Sequence, residues 1–78
     1  MNDLAYLKEL AAQYNRNLIT FDGNTTFEDM HMDSYAKVDF MMKVEQHYDI
    51  TFDDDVMLAA HSMKDVLDMI KKYKQEEK

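Results

Sequence analysis

A chain of 78 residues with a formal net charge of −7 and no cysteine has room for one small domain, residues 1–78, and for no disulfide bond or zinc–thiolate site. Its sixteen acidic residues argue against a nucleic-acid partner and against an anionic membrane surface, because the phosphates of both would repel them. No run approaches the roughly 18 apolar residues of a membrane span, and no secretory signal is visible, so a cytoplasmic location is the default expectation.

The first predicted helix covers residues 2–15 and can be capped by Asn2 or Asp3. The lack of proline and the single glycine, Gly23, favour such uninterrupted helices over a turn-rich β fold. The apolar residues of the first helix recur at helical spacing, at Leu4, Leu7, Ala11 and Tyr14.

The helical pattern fails over residues 15–26, which form a long loop. Leu18, Ile19 and Phe21 are expected to anchor this loop to the core, and Gly23 supplies a turn in which φ can be positive. Loops of this length are often ordered by their own apolar anchors or tied to function.

The second predicted helix begins with Asp33 as its cap and runs to about Tyr48. Its apolar residues fill more than half of the circumference, so we expect it to be the central element and to touch more than one neighbour. Asp39 and Lys43 form a favourable i, i+4 pair on the polar side. The apolar residues are Tyr35, Val38, Phe40, Met41, Met42, Val44 and Tyr48.

Two more helices complete the pattern. A short one begins within the acidic run 53–55 and extends through Ala60, and another begins at Ser62, whose spacing to Asp65 is that of a capping box. The apolar residues of the latter are Met63, Val66, Leu67 and Ile70. The fold class is therefore all-α, a four-helix bundle with a short third helix and a long loop between helices 1 and 2.

Catalytic and metal-binding residues are not expected. His31, His47 and His61 lack the short spacings of metal ligands, and neither acidic loop has the pattern of an EF-hand. Ser34 lies outside a nucleophile elbow, and no base is placed to activate it. Most of the methionines fall at core spacing, where they fill the interior or allow it to open for an apolar guest.

Ser34 is nevertheless well placed for attachment of a phosphorylated group. It follows the predicted cap of the second helix, so its hydroxyl should be exposed where free backbone amides and the helix dipole favour phosphate. The alternative is that Ser34 is an ordinary residue at a helix N-terminus.

Residues 27–52 resemble the phosphopantetheine-attachment region of acyl carrier proteins. In that family, a F-x-D-L-G-x-D-S-L lead-in opens the second helix, and an acidic-aromatic-Asp segment ends it. Residues 62–70 are similar to the family's fourth helix, so the resemblance extends over essentially the whole chain. The matching positions in the attachment region are Phe27, Asp29, Met30, Asp33, Ser34, Val38, Asp39, Met42, Glu45, Tyr48, Asp49 and Phe52.

The resemblance implies a carrier protein of acyl-carrier type, not an enzyme, and we expect a monomer. Ser34 would bear 4′-phosphopantetheine, transferred from coenzyme A by a phosphopantetheinyl transferase, and an acyl intermediate would be held on it as a thioester. Further partners would be an acyl-loading ligase or transferase and downstream synthase enzymes of a fatty-acid, polyketide or related pathway. The positions that match partner-contacting positions of the family are Asp33, Tyr35, Asp39, Met42, Glu45, Gln46 and Phe52.

The chain departs from the family pattern next to Ser34. His31 replaces the family glycine, Tyr35 replaces a leucine, and Ala36 stands where fatty-acid carriers usually have an acid. Residues 33–48 contain three acids and two lysines, so partner choice should differ from that of a housekeeping fatty-acid carrier. An aminoacyl or peptidyl carrier, and an unmodified helical adaptor acting by protein contact, remain as alternatives.

Overall fold

The computed structural model describes residues 3–16 and 20–76 of the chain. In these ranges it has four helices and no strand: α1 (Asp3–Ala12), α2 (Ser34–Tyr48), α3 (Asp54–Ala59) and α4 (Met63–Glu76). The predicted all-α bundle with a short third helix is confirmed. No helix in the described ranges is long and apolar enough to cross a membrane. The predictions for Asn2, Leu18 and Ile19 lie outside the described residues.

The core is built from apolar side chains of all four helices. Leu7 of α1, Phe40 of α2, Met57 of α3 and Ile70 of α4 are all buried. Each such side chain contributes about 1.5–3 kcal/mol through removal of apolar surface from water. Methionine fills much of this interior, as its spacing predicts, with buried side chains at Met30, Met41, Met57, Met63 and Met69.

The prediction for α2 is only partly right. α2 does contact both α1 and α3, but Tyr35, Val38 and Met42 are exposed instead of buried. The reason is the size of the neighbour: α2 is about 22 Å long, whereas the six residues of α3 span about 9 Å and cannot cover it. Part of the apolar arc therefore faces solvent.

Aromatic contacts fix the C-terminal end of α2 to α1. The ring of Tyr6 stacks on that of His47 with the ring centroids 3.7 Å apart. The hydroxyl of Tyr48 donates a 2.8 Å hydrogen bond to the carboxylate of Asp3. These contacts hold α2 to α1 at the end of the helix away from Ser34.

The chain before α2 is tied to the start of α4. Phe27 N–H donates to the carbonyl of His61 at 3.0 Å, and Met63 N–H donates to the carbonyl of Thr25 at 2.8 Å. Phe21 packs against the core as predicted. Gly23 does not have the positive φ that its residue type suggested, and a Cβ there would meet only ordinary contact. The turn uses a conformation open to any residue.

The predicted capping box at the start of α4 is confirmed. The Ser62 hydroxyl accepts a 3.3 Å hydrogen bond from Asp65 N–H, and the Asp65 carboxylate accepts a 3.2 Å bond from Ser62 N–H. This reciprocal pair satisfies two amides that a helix start would otherwise leave without partners. For α3, the acid at the cap position is Asp53.

Candidate functional site

Ser34 is exposed and is the first residue of α2. Asp33 fixes this position, because its extended backbone starts the helix and its carboxylate accepts a 2.8 Å hydrogen bond from Ala36 N–H. The Asp33 carbonyl accepts from Lys37 N–H at 2.9 Å. The amides of Ser34 and Tyr35 precede this first helical bond and lie at the positive end of the dipole. An exposed hydroxyl in this setting fits a phosphodiester.

A short turn leads into the site and contains its most unusual backbone. His31 has φ of 58°, in the left-handed region. Its N–H donates to the carbonyl of Glu28, and Met32 N–H donates to the carbonyl of Phe27, both at 3.0 Å. This is the bond pattern of a Schellman motif, in which glycine normally takes the left-handed position. This conformation explains physically why the family pattern has a glycine at this position. The replacement of that glycine by His31 is the one sequence signal that could have predicted the left-handed backbone.

The other residues of the lead-in have structural roles. Phe27 and Met30 are buried and anchor the turn to the core. Asp29 and Thr26 exchange hydrogen bonds: Thr26 N–H donates to the Asp29 carboxylate at 3.1 Å, and Asp29 N–H donates to the Thr26 hydroxyl at 2.9 Å. The lead-in thus holds Asp33 and Ser34 at a fixed place beside the bundle.

The predicted partner-contacting residues divide into two groups. Asp33, Tyr35, Asp39, Met42 and Gln46 are exposed along α2. The other two, Glu45 and Phe52, are less exposed.

Phe52 is buried in the core, and Glu45 is half-buried. The Glu45 carboxylate accepts a 2.6 Å hydrogen bond from Phe52 N–H. These two residues therefore hold the segment after α2 against the helix.

The charged side chains of α2 have partners within the chain. Asp39 accepts a hydrogen bond from the Tyr14 hydroxyl and lies 3.5 Å from the Lys43 ammonium. The bond from Tyr14 is the main cause that lowers the pKa of Asp39. Lys37 donates a 2.9 Å hydrogen bond to the carbonyl of Leu58, and burial lowers the pKa of Lys37.

A shallow apolar cavity of about 190 Å³ lies between α2 and α3. It is lined by Val38, Asp54, Met57 and Leu58. Lys37 bonds the carbonyl of Leu58 at its margin. The sequence could not predict the bond between Lys37 and Leu58, because the two residues are 21 positions apart and meet only when α3 packs against α2. Within the described ranges, no three His, Asp or Glu side chains gather as metal ligands.

Comparison with known proteins agrees with this geometry. A model of the family described as the phosphopantetheine attachment site matches residues 5–70. The comparison with curated proteins gave no match. Among solved structures, an acyl carrier protein from Thermotoga maritima, determined by crystallography at 2.00 Å, aligns with a TM-score of 0.83 and 25% sequence identity. The alignment covers 95% of this chain and 88% of that chain.

The family match, which extends over most of the chain, and the shared fold define the class as a carrier domain that bears a phosphopantetheine group. The chain belongs to the acyl carrier protein family. Members of this family are carriers and not enzymes, their prosthetic group is covalently bound 4′-phosphopantetheine, and they interact with transferases and synthases.

Proposed function

We propose that Ser34 is the attachment residue and that the chain presents acyl intermediates to partner enzymes of a specialised fatty-acid, polyketide or related pathway. The observation that carries the proposal is the exposed Ser34 hydroxyl at the first position of α2, inside the matched range. The only other serine, Ser62, is half-buried and occupied in the capping box of α4. Ser34 is thus the serine free to be modified.

The chemistry of attachment belongs to a transferase. The Ser34 hydroxyl oxygen would form a bond to the phosphorus next to the pantetheine of coenzyme A, while the pyrophosphate bond breaks and adenosine 3′,5′-bisphosphate leaves. The hydroxyl proton passes to a base of the transferase. When bound, the group supplies a terminal thiol for thioester chemistry. The carrier contributes an exposed, rigidly placed hydroxyl and a positive helix end beside the phosphate.

The experiment is intact-mass measurement after incubation with coenzyme A and a broad-specificity phosphopantetheinyl transferase. The wild-type chain and Ser62→Ala should each gain one phosphopantetheine unit, and Ser34→Ala should gain none. Ser62→Ala is the matched control because it removes the other serine. A folded wild-type chain that gains no mass, even with the transferase of its own organism, would favour the unmodified adaptor.

An acyl cargo is favoured over an aminoacyl one by the cavity between α2 and α3. Val38, Met57 and Leu58 give it an apolar lining that suits a hydrocarbon chain. We expect an octanoyl group on the Ser34-linked prosthetic group to raise the melting temperature relative to the unacylated form. A glycyl group should not. The opposite order would favour an aminoacyl or peptidyl carrier.

We further propose that partner enzymes contact the exposed side chains of α2 and of the residue that caps it. The exposed members are Asp33, Tyr35, Asp39, Met42 and Gln46. Glu45 and Phe52 would act indirectly, by shaping the end of α2 through their hydrogen bond.

A further inference from the structure

Lys37 is the basic side chain of α2 that lies nearest to the attachment site. It follows Ser34 by three positions, and helix residues at this spacing are neighbours on the helix surface. Long side chains in helices lean toward the N-terminal end, which is the end where Ser34 stands. The other lysine of α2, Lys43, lies roughly 14 Å from Ser34 along the helix axis. An anion on Ser34 would therefore meet Lys37 and not Lys43.

The Lys37 ammonium is held on the side of α2 that faces α3. It donates a 2.9 Å hydrogen bond to the carbonyl of Leu58 and lies 5.3 Å from the centroid of the Phe27 ring. An ammonium has three N–H donors, and the Leu58 carbonyl uses one of them. Among the described residues, the ammonium has no second acceptor and no ion pair. Two of its donors thus remain for another group.

The surroundings of the Lys37 ammonium favour an anion beside it. Burial lowers the pKa of Lys37, because the half-buried ammonium has lost part of its water. The negative charge of Asp65 opposes this shift, but its effect is smaller. The Asp65 carboxylate is itself bonded to the backbone N–H groups of His61 and Ser62. An anion close to Lys37 would stabilise the charged form of this side chain.

A phosphate on Ser34, in turn, needs a cation. The chain has a net charge of −7, and the carboxylate of Asp33 directly precedes Ser34. The acidic run 53–55 lies at the start of α3, where Asp54 lines the cavity between α2 and α3. These carboxylates would repel a further anion. Lys37 is the one lysine or arginine in residues 17–42, so it is the local charge that can offset the repulsion.

We propose that Lys37 positions the phosphate of the prosthetic group by donating a hydrogen bond from its ammonium to a phosphodiester oxygen on Ser34. The inference rests on the proposed function, because that function supplies the phosphodiester. A bond from an ammonium to a phosphate is charge-assisted and stronger than a bond between neutral groups. Lys37 would add this contact to the free amides at the start of α2, and its bond to Leu58 would connect the phosphate to α3.

Phosphoserine introduced at position 34 through an expanded genetic code tests the contact without a transferase. Its second pKa, ordinarily about 6, is followed by the ³¹P resonance at about 0.15 M ionic strength. Lys37→Met should raise this pKa by about 0.5, because the variant loses the cation that favours the dianion. Lys37→Arg keeps a cation and should leave the phosphoserine pKa within about 0.2 of its value beside Lys37. Lys43→Met removes the same charge beyond the screening length and should change the phosphoserine pKa by less than about 0.2.

An unchanged phosphoserine pKa in Lys37→Met, or an equal rise in Lys43→Met, would overturn the proposal. In the wild-type chain that bears phosphopantetheine, the pKa of Lys37, followed by its ¹³Cε resonance, should be higher than in the unmodified chain. The absence of this rise would also overturn the proposal. Circular dichroism checks that the variants keep their helices.

The two hypotheses fail in different ways. If coenzyme A and a transferase add no mass to the folded chain, the proposed function fails. The phosphoserine titration needs neither reagent, so it still decides whether Lys37 contacts a phosphate at position 34.

Discussion

The ammonium group of Lys37 on α2 donates a 2.9 Å hydrogen bond to the backbone carbonyl of Leu58 near the end of α3. Carbonyls in the last turn of a helix have no intrahelical donor, so the bond provides one. The same ammonium lies 5.3 Å from the centroid of the Phe27 ring. One side chain thus joins α3, α2 and the turn that leads to Ser34.

We predict that Lys37→Met loosens α3 selectively. Methionine keeps most of the apolar stem but removes the donor, which should lower the free energy of unfolding by about 1 kcal/mol because the bond is partly exposed. Hydrogen exchange should become faster for the amides of α3 than for those of α4. Lys43→Met is the matched control, since the Lys43 ammonium lies beside Asp39 on the same helix and not beside α3. Equal exchange in both helices would contradict a selective role.

His31→Gly should stabilise the protein. A non-glycine residue in the left-handed region costs roughly 1–2 kcal/mol, and glycine removes this strain but loses more chain entropy on folding. The expected net gain is about 0.5–1 kcal/mol in the free energy of unfolding, measured by urea denaturation. His61→Gly, the same substitution at an exposed histidine without positive φ, should bring no gain. An equal gain at both positions would show that φ at His31 is not the cause.

The bundle could be predicted from the sequence because its signals are local. The spacing of the apolar residues predicts where the helices lie, and an acid or a serine marks where each begins. The predicted capping box between Ser62 and Asp65 is present in the structure. Ser34 was placed by the same reasoning, since a cap at Asp33 leaves the next residue at the helix end.

The exposure of individual side chains and the long-range hydrogen bonds could not be predicted from the sequence, because both depend on contacts between elements that are distant in the chain. The period of α2 marks Tyr35 and Met42 as apolar, but their exposure follows from the shortness of α3. The family resemblance places Phe52 among the partner-contacting positions, and only the structure shows that its side chain is buried. The bonds made by Lys37 and Glu45 join residues 21 and 7 positions apart, and no helical period reports them.

The bond between Glu45 and Phe52 N–H predicts a structural role for Glu45. Glu45→Ala leaves the backbone N–H of Phe52 without its acceptor. This loss should lower the free energy of unfolding by about 1–2 kcal/mol. Gln46→Ala, the adjacent exposed change, should stay within about 0.5 kcal/mol. Thermal and urea unfolding of the two variants make the comparison. If Glu45→Ala unfolds like the wild type but is modified slowly by the transferase, Glu45 is a partner contact instead.

The capping box at α4 predicts a defined pH dependence. The backbone bonds from His61 and Ser62 hold the pKa of Asp65 below its ordinary value, with the bond from His61 the larger cause. A depressed pKa in the folded state means that the carboxylate stabilises the fold above the ordinary pKa, about 3.9, and that this contribution is lost as the pH falls through the lower folded value.

Asp65→Asn should therefore be about 1 kcal/mol less stable than the wild type at pH 6, and the difference should shrink as the pH falls from 4 towards 2. Urea unfolding at several pH values measures the difference. Asp68→Asn is the control on the exposed side of the same helix and should stay within about 0.5 kcal/mol of the wild type at pH 6. If the difference in the free energy of unfolding stayed constant down to pH 2, the loss of stability in Asp65→Asn would come from the geometry of the amide group and not from the loss of the negative charge.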